Sequence, residues 1–231
     1  MARSTKIKPL NASASAKIGV SYYVSGFQDY LGARILLNSG LLLQGATLAS
    51  TAVEKYLKAY LAAQELRAFG HLNNWPDTLF DKLNTELLLN RDFLKLLQIV
   101  YELRYLEELN KSVSFAIERL KFTAELDRTI SIINTSMQYF RGTEVINPYE
   151  ASRVAKRMEL ISDNYLLLGL SRSEFLNRPD LAEAFYFDGS LEVMSCHLTG
   201  WVYHDETNFT APGVSFNGSM YECLLRHREI S

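Results

Sequence analysis

From residue 44 to residue 71 the chain reads QGATLASTAVEKYLKAYLAAQELRAFGH, and no other stretch restricts the fold as tightly. Turning by about 100° per residue, as an α-helix does, gathers Gly45, Ala49, Ala52, Tyr56, Tyr60 and Ala63 on one side. Thr47, Thr51, Glu54, Lys58 and Glu65 fall on the opposite side. The first side is mostly small residues, so a neighbouring helix can come close to it. Such a helix draws its stability from tertiary packing and needs partners.

Residues 22–37, YYVSGFQDYLGARILL, supply the first partner, and Ser39 and Gly40 break the two apart. Beyond residue 71, Pro76 suits the first turn of a short third helix reaching residue 89. Asn90 can cap a fourth helix over residues 91–108, with Phe93, Leu97, Val100, Tyr101 and Arg104 on one stripe. Residues 111–118 fit a strand by the alternation of Val113, Phe115 and Ile117, or a continued helix by length. A further helix is predicted over residues 120–140, with Leu126, Ile130, Ile133 and Met137 inward and Gly142 at its end. Asn147 and Pro148 start another, whose apolar face would carry Val154, Ala155, Met158 and Ile161. Residues 173–185 read as a helix split near Arg178 and Pro179. From Leu191 onward, β-branched and aromatic residues alternate with turn pairs such as Pro212–Gly213 and Asn217–Gly218, which predicts two to four short strands.

The predicted class is therefore mainly α: an up-down bundle of four to five helices with a C-terminal α+β extension. Its expected organisation is a flexible basic arm over residues 1–19, a bundle over 20–141 and the extension over 142–231. The arm carries Arg3, Lys6, Lys8 and Lys17 and no acidic residue, which suits a mobile tail or a phosphate-contacting one.

Residues 48–59 match A-x-x-x-A-x-E-K-x-L-K-A with Leu48 at the first alanine position, and Gly70 and His71 follow that helix. Leu103, Arg104, Tyr105, Leu106 and Glu107 add an Arg-Tyr pair in a later helix. This pattern resembles the HEPN superfamily of small helical bundles, with Leu106 where those proteins commonly carry a proline. The resemblance covers residues 20–140. It implies a homodimeric bundle that holds RNA, a nucleotide or a nucleotidyltransferase-type protein partner, as in toxin–antitoxin pairs. It also nominates Lys55, Lys58, His71, Arg104 and Tyr105 for nucleotide or RNA binding.

Active HEPN ribonucleases use an arginine and a histidine separated by four to six residues. The histidine exchanges a proton with a ribose or leaving-group oxygen, and the arginine stabilises phosphorane charge. Here the histidines are His71, His197, His204 and His227. Arg67 and His71 are separated by only three residues, Arg226 and His227 are adjacent, and the position six beyond Arg104 is Asn110. The motif is absent. A non-catalytic binding module is the main expectation; a metal-independent, toxin-type ribonuclease using Arg67 and His71, or a regulatory scaffold without nucleic acid, are the alternatives.

A net charge of −2 requires any nucleic-acid partner to be met by a local patch. Cys196 and Cys223 cannot make a disulfide framework or, alone, a zinc set; with His197, His204 and Asp205 they match no established zinc spacing. No metal and no cofactor are expected. With no run of about eighteen apolar residues and no secretory leader, the chain is expected to be cytoplasmic and off the membrane. Glu54 and Lys58, four apart, read either as a solvated ion pair or as a ligand site.

Overall fold

The computed structural model describes residues 7–72, 75, 77–102, 113–187 and 193–201. It is mainly helical, with short antiparallel strands added chiefly in the C-terminal part. Two long helices form its axis, α1 (Ala12–Asn38) and α2 (Leu42–Ala63). They run antiparallel, for Leu37 meets Gly45, Leu48 meets Gly32, and Lys55 and Tyr56 meet Gly26. The small face of α2 lies against α1 as its spacing predicts, with Gly45, Ala49, Ala52 and Tyr56 buried, although Ala63 at its end is exposed. At Gly45 the approach leaves no room: an added Cβ would stand 2.7 Å from Leu37 Cγ and 3.0 Å from the Leu37 backbone nitrogen.

Against this pair pack α4 (Arg91–Glu102) and α5 (Arg119–Thr135), with α3 (Asp77–Leu87) beside them. Phe93 meets Phe122 edge to face at 5.1 Å, and Asn90 caps α4 by accepting the Asp92 and Phe93 N–H groups. The fourth helix, expected to run to residue 108, can be followed to Glu102, since Arg104 and Tyr105 lie outside the described residues.

The chain's first part departs from the flexible arm expected over residues 1–19. Asn11 accepts the Ala14 N–H at 2.8 Å and starts α1 at Ala12, ten residues before the expected start at Tyr22, because residues 12–19 are too poor in large apolar residues to show periodicity. Before it, β1 (Ile7–Pro9) pairs with β2 (Leu66–Ala68), and the Leu10 N–H donates to Glu65 O.

Other segments also differ from expectation. The helix predicted over 120–140 ends at Thr135, and Gly142, with φ 63°, turns a hairpin of β4 (Tyr139–Arg141) and β5 (Glu144–Ile146). Asn147 and Pro148 do open α6 (Pro148–Val154), but the chain breaks at Lys156, φ 53°, before α7 (Met158–Ile161). Val154 and Met158, assigned to an apolar face, are exposed at 69% and 64%. After α8 (Tyr165–Leu168), the helix expected over 173–185 is only α9 (Arg172–Leu176), opened by a Ser171–Glu174 capping box. Pro179 cannot continue a helix, and the β-favouring residues after it form β6 (Asp180–Phe187). That strand lies between β3 (Val113–Glu118) and β7 (Val193–Trp201) in one antiparallel sheet, which resolves residues 113–118 as strand.

A buried polar cluster fastens the later helices to the axis. Arg34 and Asp127, both fully buried, form a double contact from α1 to α5, and Tyr30 donates to the same carboxylate at 2.7 Å. The guanidinium also donates to the Glu159 and Ser162 carbonyls, so α7 closes over it. Burial alone would lower the Arg34 pKa; the neighbouring carboxylate outweighs that and keeps it above its ordinary value. Arg119 makes a second junction, reaching Asp180, Asp163 and Asn38 at 2.8–3.0 Å.

Two substitutions test this packing. Gly45→Ala should gain about 1 kcal/mol of helix propensity but lose more to overpacking, so we expect a lower urea midpoint than the wild type. Arg34→Met strands a buried carboxylate and should cost about 3–5 kcal/mol, most of it restored when Asp127→Leu is added; chemical unfolding of the single and double variants reads this directly.

Candidate functional site

The segment after α2 carries a buried polar construction of its own. Glu54 and Lys58 lie near the C-terminal end of α2 and, instead of facing solvent, are only 5% and 9% exposed. This corrects the solvated-pair reading. The pattern of α2 placed them opposite the small face, but the chain leaving the helix folds back over that side.

Glu54 is the organiser. Its Oε1 accepts from Lys58 Nζ at 2.7 Å, and its Oε2 accepts the Leu72 N–H at 3.0 Å. The same Oε2 stands 3.4 Å from His71 Nδ1. Lys58 Nζ donates further to Gly70 O at 2.7 Å and lies 5.6 Å from the centre of the Tyr22 ring. Gly70 has φ 80°, a conformation that L side chains seldom adopt, and this lets its carbonyl turn towards the lysine. Gln98 of α4 holds the other end by donating to Leu72 O. The turn bearing His71 is thus tied at its carbonyl, its amide and its exit.

His71 itself stays open. Its side chain is 56% exposed, and one face stacks on the buried Tyr101 ring at 5.0 Å and 29°. An imidazole so presented can stack with a planar ligand or donate to an anionic oxygen.

The nominated residues do not all converge. Lys58 and His71 are brought together through Glu54. Lys55 points across to α1 and pairs with Asp29 at 2.6 Å, away from this construction. Arg67 sits in β2 with its guanidinium over the Phe69 ring, 4.6 Å from the centroid, and makes no hydrogen bond with His71 among the described residues. Arg104 and Tyr105 lie outside the described residues, as do His204, Asp205, Cys223 and His227; Cys196 and His197 fall on β7.

Sequence reasoning missed Tyr22, Tyr101 and Gln98 as parts of the site, and treated Glu54 mainly as a surface partner of Lys58. Their only sequence signal was the four-residue Glu–Lys spacing. The rest depends on the return of the chain after residue 63.

Among the described residues, no group of three or more His, Cys, Asp or Glu side chains is placed to hold a metal ion. None of their helices is long and apolar enough to cross a membrane. Compared with models of known protein families, with curated proteins and with solved structures, the chain matches none. The likeness to HEPN bundles rests on the residues quoted for it.

Glu54→Ala would leave the Lys58 ammonium without its carboxylate and the Leu72 amide without its acceptor. We expect a loss of about 1–3 kcal/mol and faster hydrogen exchange at Leu72 and Gly70 than at buried amides of α1. Unchanged exchange there would show that the turn does not depend on Glu54.

Proposed function

We propose that the chain is a HEPN-like, non-catalytic binding module that takes RNA or a nucleotide at the His71 turn. The observation that carries this reading is the open imidazole of His71, backed by Tyr101 and fixed against the buried Glu54. Stacking platforms of this kind bind bases with little sequence preference. A rigid turn also lowers the ordering cost that binding must meet.

Support for binding over cleavage comes from the neighbouring cations. A ribonuclease of this type needs a guanidinium placed beside the imidazole, on the same phosphate. Arg67 instead lies on the β1–β2 ribbon over Phe69 and makes no hydrogen bond with His71 among the described residues, and Lys58 is engaged by Glu54 and Gly70 O.

Single-stranded oligoribonucleotide binding, followed by fluorescence anisotropy, tests the reading. We expect His71→Ala to weaken binding by about 1–3 kcal/mol, the worth of one stacked base, and affinity to fall as salt is raised. The same mixture without added metal should yield no cleavage products. Cleavage abolished by Arg67→Ala or His71→Ala would overturn the proposal in favour of a ribonuclease, and salt-independent or absent binding would favour a scaffold.

A further inference from the structure

We infer that the ribbon of β1 and β2 carries a second site, one for a phosphate-type anion, built from Lys8 and Arg67 on the face that holds Phe69. Lys8 and Arg67 stand directly opposite one another in the antiparallel register. Opposed side chains in such a pair share a face, with Cβ atoms about 4.5–5.5 Å apart, and like charges there repel. Among the described residues neither Lys8 nor Arg67 has an ion pair. Glu65, the residue before β2, has φ 58° and forms no ion pair with either among the described residues.

Both cations approach the Phe69 ring, with Arg67 Cζ at 4.6 Å and the exposed Lys8 Nζ at 5.7 Å from its centre. The Arg67 Nε is buried and has no hydrogen-bond acceptor. Backbone pairing and the Leu10 to Glu65 hydrogen bond hold the lysine in register across from the arginine. The result is a planar fork and a point charge, side by side, pre-paid in repulsion and unsatisfied in acceptors. A tetrahedral oxyanion answers all three conditions, because its oxygens accept from the guanidinium while its charge offsets both cations.

The group could arrive as a terminal phosphate or as a backbone phosphodiester, and the test separates them. The full chain is titrated calorimetrically with inorganic phosphate at constant ionic strength, then with adenosine 5′-monophosphate and with an oligoribonucleotide lacking terminal phosphates. We expect saturable phosphate binding that weakens about tenfold or more in Lys8→Ala and Arg67→Ala, the loss of a charge-assisted hydrogen bond. Arg67→Lys, which keeps the charge but not the fork, should fall between, and circular dichroism checks that each variant is folded. Lys95→Ala, an equal change of net charge on α4, should leave binding unchanged. Competition by the monophosphate alone assigns a terminal phosphate, and competition by the oligomer alone assigns the diester; either supports the site. Absent or non-saturable phosphate binding, or equal weakening by Lys95→Ala, overturns it. Phosphate binding that survives His71→Ala separates this site from the reading above: a chain that binds phosphate but no RNA keeps the site and loses that reading.

Discussion

The close contact of α1 with α2 is the constraint on which the remaining structure rests. Glycines on both helices, Gly26 and Gly45, let the backbones approach until a methyl group no longer fits at Gly45. Dispersion and burial then act over the whole length of two helices of 27 and 22 residues. Helices α4 and α5 pack on that pair directly, and α8, α9 and β6 pack in turn on α5. The tyrosines Tyr23 and Tyr56 cross edge to face at 5.6 Å inside the pair, and Tyr139 from the hairpin reaches in to donate to Ala59 O.

Polar groups give this apolar frame its specific arrangement. The Arg34–Asp127 pair selects one placement of α5 and α7, because any other would leave a charge buried without a partner. Glu54 does the same on a smaller scale for the turn that follows α2. A side chain presented on such a turn inherits the rigidity of the helices behind it. That is the physical reason for seeking function at His71 and on the adjoining ribbon, and not along the exposed helix faces.

Much of the frame was legible in the sequence. The small-residue face of α2, the break at Ser39 and Gly40, the cap at Asn90 and the Asn147–Pro148 start all act locally, and local signals survive without knowledge of the fold. The failures share a cause. Residues 12–19 are helical through a cap and contacts such as Ser15 with Ala62, and residues 139–141 form a strand by pairing with residues 144–146. Residues 180–187 are a strand between two others. Each of these depends on a distant partner, which no window of neighbouring residues reports. The candidate site is the same: its spacing shows Glu54 and Lys58, but their burial follows from where the chain returns.

The order of the three-stranded sheet bears on how this protein is made. β6 lies in the middle, yet it is synthesised after β3 and after the entire run of short helices between them. While the ribosome adds those residues, at about 5–20 per second, the edge of β3 stays unpaired and the α7 carbonyls that receive Arg34 do not yet exist. A nascent chain stalled between α5 and α7 therefore displays a bare strand edge and an Arg34 without its α7 carbonyl partners. Messenger features that slow translation in that interval would raise the burden on chaperones, whereas pauses placed after the sheet closes would not.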